Sequence, residues 1–437
     1  MTISELHRLF LESNGVTTDS RNCAPGLIFF ALKGERFDGN SFARQALDMG
    51  CLAAVIDSTE YHNPDESRMI LVDNVLSTLQ QLARFHRDYL GTPVIGITGT
   101  NGKTTTKELI HAVMSSTYPT LATKGNLNNQ IGVPLTVLGM DKSYSYAIIE
   151  MGASHPGDIK ELVDVCNPDY GIITNVGKAH LLGFGSFEGV KATKGELYDH
   201  LRARKGPVFL NADNCHLRQM AEGLDCILYG KPGTPGLAVQ GELICCNPCL
   251  QFRWCKSGNG KWHTVQTNLI GAYNIDNALA AITIGLHFGV SEKAASDSIA
   301  GYVPSNNRSQ LTRTERNSLV VDAYNANPTS MQAALENFSL MQATGKMLIL
   351  GDMRELGESS LEEHVRIVSL ITQLGFSDVI LVGPEFRQAI GQTGAPFMSF
   401  DSADETGEYI KSAGINGRTI LLKGSNSMKL TSLIGLL

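Results

Sequence analysis

The segment GITGTNGKTTT, residues 96–106, is the part of the sequence that best indicates the fold. It overlaps the apolar run VIGIT at 94–98, typical of a buried strand, and leads into a stretch with helical spacing. Glycines let the backbone curl so that its N–H groups face an anion, and a helix N-terminus adds partial positive charge. The segment therefore predicts a phosphate-binding loop in which Lys103 neutralises phosphate and the Thr104 hydroxyl binds Mg²⁺. The common loop pattern has Gly where Ile97 stands, so the match fails at one position.

Strand and helix patterns alternate on both sides of this loop. Candidate strands AIIE (147–150), YGIIT (170–174) and PVFLN (207–211) predict a mostly parallel sheet, and strand-like hairpins follow at 237–270. A second alternating set at 318–323, 346–352, 378–383 and 418–424 predicts a Rossmann-like domain, although no GxGxxG follows its strands. The fold class is thus α/β with three domains: a small α/β domain at 1–90, a central P-loop domain at 91–304 and a C-terminal domain at 305–437. Gly91-Thr92-Pro93 marks the first boundary, because Gly and Pro interrupt a helix.

Composition excludes several classes of protein. The 437 residues carry 36 Lys plus Arg against 43 Asp plus Glu, a net charge of −7 that argues against broad nucleic-acid binding. No run reaches the roughly 18 apolar residues of a membrane span, and the start lacks the features of a secretory signal. Nine scattered cysteines suit reduced thiols, and the single CxxC at 246–249 indicates strand cysteines better than a zinc site. We therefore expect a cytoplasmic protein, with a monomer as the default.

The loop variant TGTNGKTT resembles that of the Mur ligases and folylpolyglutamate synthetases. The resemblance continues through TDSR…GLIFFALKGERFDGNSF (18–42), TKGNLNNQIGVPLTVL (123–138), IIEMGASHPGDI (148–159), ITNVGKAHLLGFGS (173–186) and LLKGSNSM (421–428). It implies a ligase that uses ATP and Mg²⁺ to join a carboxylate to an amine through an acyl phosphate. VVDAYNANPTSM (320–331) and LGDMRELG (350–357) resemble in particular the members that add D-alanyl-D-alanine to a UDP-N-acetylmuramoyl tripeptide, a step of peptidoglycan synthesis.

The resemblance also implies the catalytic and metal-binding residues. Glu150 ends a predicted strand, where a parallel sheet places its ligands, and matches a glutamate that bridges Mg²⁺ ions. His180 matches a histidine that ligates a second Mg²⁺. Lys194, in KATKGEL, matches a lysine that is often carbamylated, because an ammonium group cannot bind a cation whereas a carbamate can. Lys191 is a nearby rival for this role, and the alternative interpretation of Lys194 is a solvated helix lysine.

Nucleotide contacts follow from the same resemblance. Asn277, in GAYNIDNALAA, is implied as the adenine contact with Asn274 as its helper, although Asn274 could simply start a helix. Arg308 is implied as a phosphate contact and Asp322 as a ribose contact. The complete predicted ATP site is Gly99, Thr100, Asn101, Gly102, Lys103, Thr104, Thr105, Asn274, Asn277, Arg308 and Asp322.

Substrate contacts are implied in all three domains. The first domain supplies uridine-diphosphate contacts, and the central domain supplies contacts to the muramoyl or diphosphate portion. The third domain supplies residues that place D-alanyl-D-alanine. In that order the residues are Ser20, Arg21, Lys33, Asp38 and Gly39; Thr123, Asn126, Asn128 and Asn129; and Asn325, Asn327 and Ser330.

Two alternatives remain open from the sequence. One is another Mur-type amide ligase with a different acceptor; the UDP-type block of the first domain disfavours folate. The other is a P-loop nucleotide-binding module without ligase activity, against which Glu150, His180 and Lys194 argue. A subunit of an amidating complex is disfavoured because it would need two CxxC pairs.

Overall fold

Three main sheets organise the chain in a computed structural model that describes residues 1–35, 37–258, 260–304, 308 and 310–437. They have four, nine and six strands, in chain order, and each packs against helices over a buried apolar core. Within the described ranges, no helix has the length and apolar character needed to cross a membrane.

The first domain is a parallel sheet with order β1-β2-β5-β6, beside the short antiparallel pair β3-β4. Its helix α3 ends at Leu90 and is capped by Gly91, whose φ of 68° glycine adopts readily. The elements are α1 (Ile3–Glu12), β1 (Val16–Thr17), β2 (Ile28–Phe30), β3 (Lys33–Gly34), β4 (Phe37–Asp38), α2 (Ala43–Asp48), β5 (Ala53–Ile56), β6 (Met69–Leu71) and α3 (Val75–Leu90).

The central domain is built on the nine-stranded sheet. Its strands 94–98, 146–150, 170–173 and 208–211 match the predicted apolar runs to within one residue. The elements are β7 (Val94–Thr98), α4 (Lys103–Ser115), β8 (Thr120–Ala122), α5 (Gly132–Leu138), β9 (Tyr146–Glu150), α6 (Asp158–Cys166), β10 (Tyr170–Ile173), α7 (Leu181–Phe184), α8 (Phe187–Arg204), β11 (Val208–Asn211), α9 (Cys215–Met220), β12 (Cys226–Gly230), β13 (Leu237–Cys246), β14 (Cys249–Lys256), β15 (His263–Ile270), α10 (Asn274–His287) and α11 (Glu292–Gly301).

The order of this sheet is β15-β14-β13-β12-β11-β10-β7-β9-β8. Strands β8 to β13 pair in parallel, whereas β13, β14 and β15 pair antiparallel. The predicted hairpins therefore extend the parallel sheet rather than forming a separate unit. Cys246 and Cys249 lie in these strands on either side of Asn247-Pro248, as the sequence predicts.

The third domain has the strand order β16-β17-β21-β18-β19-β20, with β16-β17 as its antiparallel pair. The alternation predicted from the sequence is confirmed, and helices α12 to α15 cover the sheet. The elements are β16 (Gln310–Arg313), β17 (Ser318–Asp322), α12 (Pro328–Leu340), β18 (Lys346–Gly351), α13 (Ser360–Gln373), β19 (Val379–Val382), α14 (Pro384–Thr393), β20 (Met398–Phe400), α15 (Ala403–Ala413) and β21 (Thr419–Lys423). The predicted domain start at residue 305 lies outside the described residues.

The β13–β14 hairpin and the end of β15 dock the third domain onto the central one. Asn247 Nδ2 donates to Gln342 Oε1 at 2.9 Å, and Asn247 Oδ1 accepts from the Gln342 N–H at 3.1 Å. Cys249 and Ile270 pack into the apolar core of the third domain. These contacts hold the third-domain helix α12 over the carboxyl ends of the central strands.

Candidate active site

The phosphate loop lies at the carboxyl end of β7, between β10 and β9 in the sheet. The chain reaches β8 and β9 on one side of β7 and β10 on the other, so this is a topological switch point, where open parallel sheets bind ligands. Gly99 has φ +142°, and a Cβ there would lie 2.1 Å from Thr174 Oγ1. Gly102 has φ +78° and directly precedes α4. Both positions require glycine.

Hydrogen bonds join the loop to the segment after β10. The N–H of Thr100 donates to Asn175 O at 2.9 Å, and the N–H of Asn101 donates to Asn175 Oδ1 at 3.0 Å. Thr174 Oγ1 donates to Asn101 O at 2.6 Å. The loop is therefore held in shape by its neighbour in the sheet.

Lys103 begins helix α4 and points back along the loop. Its Nζ donates to Gly99 O at 2.7 Å and to Thr100 O at 3.1 Å. Burial lowers the pKa of Lys103 to about 8, with a further contribution from Arg308, while Glu150 opposes the shift. An anion at the loop would favour the charged ammonium form.

Glu150 is the last residue of β9 and is 1% exposed. Its Oε1 accepts from Thr104 Oγ1 at 3.1 Å and from Asn128 Nδ2 at 2.9 Å, and its N–H donates to Thr123 Oγ1 at 2.9 Å. Its Oε2 is buried without a hydrogen-bond partner among the described residues. A buried carboxylate oxygen left without a partner is costly, and a bound cation would satisfy it.

His180 and Lys194, the other two predicted metal-binding residues, have different surroundings. His180 has φ 49°, its Nδ1 is hydrogen-bonded to Glu355 of the third domain, and burial lowers its pKa. Lys194, on α8, is 2% exposed and makes no hydrogen bond with the described residues; its Nζ lies 5.4 Å from the ring centre of Phe184. Burial, followed by the charge of Lys103, lowers the pKa of Lys194 well below its ordinary value.

The available donor atoms suit Mg²⁺, which shares its ligands with phosphates and water, better than a metal ion that is bound by protein side chains alone. Among the described residues, no three His, Cys, Asp or Glu side chains are arranged to enclose a metal ion. Mg²⁺ is typically bound by one or two carboxylates together with phosphates and water, rather than by a cage of protein ligands. The unpartnered Glu150 oxygen beside the Thr104 hydroxyl provides such a partial site.

The residues predicted to contact adenine are hydrogen-bonded to one another. Asn277 Oδ1 accepts from Thr106 Oγ1 at 2.9 Å, and its Nδ2 donates to Asn274 Oδ1 at 2.8 Å. Asn274 Nδ2 in turn donates to Ile270 O at 2.8 Å. One N–H of the Asn277 amide is left over from these bonds, so its role toward adenine stays a prediction.

The third-domain residues face the loop from the other side. The Arg308 guanidinium stacks 3.9 Å from the ring centre of Tyr324, and Lys423 Nζ donates to Asp322 Oδ2. Asn327 is the N-cap of α12, and its Nδ2 donates to Asn101 Oδ1 of the phosphate loop at 2.7 Å.

A cavity of about 730 Å³ opens between the two domains. Most of the predicted ATP and metal residues line it, together with the third-domain candidates. The predicted residues in its lining are Thr100, Asn101, Gly102, Lys103, Thr105, Asn128, Asn129, Glu150, His180, Asn274, Asn277, Arg308, Asp322, Asn325, Asn327 and Ser330.

Other predicted residues lie outside this lining. Gly99, Thr104 and Thr123 shape it from below through the contacts given above, Asn126 is exposed and Lys194 is buried. The first-domain group is separate from the cavity: Arg21 pairs with Asp19 at 2.7 Å and Lys33 with Asp57 at 2.9 Å. Ser20, Asp38 and Gly39 also do not line the cavity.

Comparisons with known proteins place the chain in a family. Three family models match it: the Mur ligase family catalytic domain at 12–87, the Mur ligase middle domain at 97–285 and the Mur ligase glutamate ligase domain at 307–426. A Bacillus subtilis protein named UDP-N-acetylmuramoyl-tripeptide–D-alanyl-D-alanine ligase is 35% identical over 429 residues, covering 96% of this chain and 92% of its own length. The chain belongs to the Mur ligase family.

Further Mur ligases are similar to this chain in sequence and in fold. An Escherichia coli protein with the same name as the Bacillus protein is 33% identical over 446 residues, covering 98% of this chain and 95% of its own length. The crystal structure of MurF from Acinetobacter baumannii superposes with a TM-score of 0.87 at 28% identity, covering 99% of this chain and 98% of that one. MurF ligase from Thermotoga maritima, solved in complex with ADP, gives a TM-score of 0.84 at 25% identity, covering 98% and 97%. The predicted family and three-domain fold are confirmed.

Sequence reasoning missed several lining residues of this Mur ligase cavity. Asn175, Thr329 and Glu355 lie there, as do Asn211 at the carboxyl end of β11 and Asp276 in the first turn of helix α10. Asn175 and Glu355 stand inside the quoted motifs ITNVGKAH and LGDMRELG, so the motifs themselves were the available signal. For Asn211, its place at the end of strand β11 was a usable signal.

Proposed function

We propose that this chain is an ATP-dependent ligase that joins D-alanyl-D-alanine to UDP-N-acetylmuramoyl tripeptide and produces the UDP-muramoyl pentapeptide precursor of peptidoglycan. The observation that carries the proposal is the shared cavity: the phosphate loop and Glu150 form one wall, and the YNANP segment at the start of α12 forms the other. The full-length similarity to relatives named for this reaction supports the choice of substrates. ATP and the two ligated substrates would therefore meet between the central and third domains.

The ligase needs to bring two anions together, the tripeptide carboxylate and the ATP γ-phosphate. Lys103 and the loop N–H groups would hold the phosphates and stabilise charge as the carboxylate oxygen attacks phosphorus. ADP leaves and an acyl phosphate remains. The amine of D-alanyl-D-alanine then attacks the acyl carbon, and a tetrahedral intermediate expels phosphate to leave the amide bond. Docking of the third domain would shield the acyl phosphate from water.

Mg²⁺ forms part of the proposal. Thr104, Glu150 and His180 would hold it, and bound Mg²⁺ would screen the repulsion between ATP and the carboxylate. Lys194 would contribute as a carbamate. Its burial and lowered pKa support this, because a neutral amine can attack CO₂ and lose a proton to give a carbamate anion.

We retain the domain roles expected from the sequence. Residues 1–90 would bind the UDP-sugar, residues 91–304 would bind ATP, and residues 305–437 would close on ATP and bind the dipeptide. In the first domain, Asp57 Oδ1 accepts from Lys33 and from Asn40 Nδ2, the latter at 3.0 Å. This network supports a polar site on the first domain, away from the ATP cavity. We further infer that the enzyme acts in the cytoplasm as a monomer.

Phosphate release tests the ligase directly. The complete mixture contains ATP, Mg²⁺, UDP-muramoyl tripeptide and D-alanyl-D-alanine, and each is omitted in turn. We expect release to require all four and the pentapeptide nucleotide to form. Release with another amine but not with D-alanyl-D-alanine would discard the substrate, and ATP binding without turnover would favour the silent module.

Substitution of Lys194 tests the carbamate. We expect Lys194→Ala to lose ligase activity, with no recovery at high bicarbonate and partial recovery with acetate, which can supply a carboxylate to the vacated space. Lys191→Ala, on the same helix and paired with Glu188 at 3.0 Å, is the matched control and should stay active. Full activity of Lys194→Ala would remove Lys194 from the site.

A further inference from the structure

The loop that follows β18, residues 352–357, carries a glutamate across the domain interface to the active site. Glu355 lines the cavity, and its side chain is hydrogen-bonded to Nδ1 of His180 in the central domain. The backbones join as well, because the N–H of Leu182 donates to Glu355 O at 3.3 Å. The same pair of segments is thus linked by side chain and by main chain.

Both partners have an unfavourable backbone conformation. His180 has φ 49° and Glu355 has φ 64°, in the left-handed region that residues with a Cβ rarely adopt. Such conformations persist where the surrounding structure imposes them, and they cluster at functional sites. The side-chain contact thus joins two residues that both have this unfavourable conformation.

The loop is anchored immediately before Glu355. Asp352 is fully buried and accepts from the N–H of Phe386 at 3.0 Å, at the start of α14. The N–H of Met353 donates to His364 Nε2 at 3.0 Å, and the N–H of Arg354 donates to Ser425 Oγ at 2.9 Å. Glu355 therefore extends from a fixed base, although its own side chain is 58% exposed.

The chemistry of the pair determines which ring nitrogen is available. A carboxylate only accepts hydrogen bonds, so His180 Nδ1 carries the hydrogen and Nε2 keeps its lone pair. Nε2 makes no hydrogen bond with the described residues, and His180 lines the cavity. A neutral imidazole that donates from one nitrogen to a carboxylate is oriented to bind a cation through the other.

We propose that Glu355 is a positioning residue that fixes the tautomer and ring orientation of His180 across the domain interface, so that the cation site is complete only when the third domain is docked. The inference rests on the proposed role of His180 toward Mg²⁺. The ion pair Lys178–Glu363, at 2.7 Å, joins the same two domains without touching the imidazole, so it serves as an example of a contact that only docks them. The Glu355–His180 contact differs because it also orients the ring.

Two measurements on the full chain test the proposal. The first is the Mg²⁺ concentration that gives half-maximal ligation for wild type, Glu355→Gln and Glu355→Ala. The second is the ¹⁵N spectrum of the His180 ring with and without ATP, assigned by its loss in His180→Gln. Glu355→Gln keeps an oxygen acceptor but no charge, whereas Glu355→Ala removes the acceptor. Glu358→Gln changes an exposed glutamate three residues further along the chain and is the matched control.

We expect the Mg²⁺ requirement to rise by about tenfold in Glu355→Ala and by less in Glu355→Gln. The ring should be in the Nδ1–H form in wild type and a mixture of tautomers in Glu355→Ala. Glu363→Gln should weaken docking but leave the tautomer unchanged. An unchanged tautomer and Mg²⁺ requirement in Glu355→Ala would overturn the proposal. If His180→Ala also leaves the Mg²⁺ requirement unchanged, the assumed metal role of His180 has failed instead.

Discussion

Asn327 provides a prediction that separates two roles for one side chain. The sequence predicts that it places D-alanyl-D-alanine. In the structure it is 7% exposed, and its Oδ1 accepts from the Ser330 N–H at 2.9 Å as the N-cap of α12. Its Nδ2 donates to Asn101 Oδ1 at 2.7 Å, which links the cap to the phosphate loop. We expect this link to couple third-domain docking to the loop.

The expected losses of stability and activity on substituting Asn327 follow from these two contacts. Asn327→Ala removes the cap, worth about 1 kcal/mol, and the bond to Asn101, worth about 1 kcal/mol net. Asn327→Ser keeps a capping hydroxyl but is too short to reach Asn101. The Ser variant should therefore keep the stability of the third domain and lose about 1 kcal/mol from docking, which is about fivefold in kcat/KM.

A double-mutant cycle measures the link. Phosphate release gives kcat/KM for D-alanyl-D-alanine in wild type, Asn327→Ser, Asn101→Ala and the double variant, and thermal unfolding reports stability. If the Asn101–Asn327 hydrogen bond is what supports docking, Asn327→Ser should lower kcat/KM only slightly in a chain that already carries Asn101→Ala. The coupling energy between the two substitutions is then about 1 kcal/mol. Asn327→Ala should in addition lower stability by about 1 kcal/mol.

Additive losses would refute this reasoning. If Asn327 instead contacts the dipeptide, the Ser substitution would raise KM for D-alanyl-D-alanine by the same factor with or without Asn101. Full activity of Asn327→Ser would exclude both roles.

Three further predictions concern other parts of the chain. Gly99→Ala should weaken ATP binding by at least about tenfold in calorimetry, because the new Cβ would lie 2.1 Å from a threonine hydroxyl in the segment after β10. His7→Phe should flatten the fall in melting temperature on acidification: burial lowers the pKa of both His7 and His86, so the fold favours their neutral forms and stability is lost as the pH falls below about 6.5. Arg87→Met should cost about 2 kcal/mol in urea unfolding, since it leaves Asp169, 2.6 Å from the Arg87 guanidinium, without that partner.

Matched controls distinguish these effects from general damage. Gly125→Ala also has positive φ but meets no atom within 4 Å, so ATP binding should be kept. His62→Gln changes a histidine outside the His7–His86 pair and should leave the fall in melting temperature on acidification unchanged. Arg84→Met removes an exposed ion pair and should cost less than about 1 kcal/mol. Equal effects of test and control in any pair would contradict the assigned cause.

Local patterns were enough for the strands and the phosphate loop. The run at 94–98 and its successors are apolar because a parallel sheet covered on both faces buries every side chain, so their positions can be read without knowing the partners. Glu150 was predictable for a related reason: the carboxyl ends of parallel strands meet at one edge, so a polar residue ending such a strand marks a ligand site. The family motifs supplied the roles of the remaining residues.

Short segments of the sequence were therefore enough to predict the fold class, the family and about half of the residues that line the cavity, because these depend on local patterns. Three features became visible only in the folded chain: the hairpins at 237–270 extend the central sheet, Asn327 caps a helix against the phosphate loop, and Glu355 contacts His180. Each of these is a pairing between segments distant in the chain: Asn101 and Asn327 are separated by 226 positions, and His180 and Glu355 by 175. Hydrogen-bonding capacity is visible in a residue type, but the partner that satisfies it is fixed only when the domains pack together.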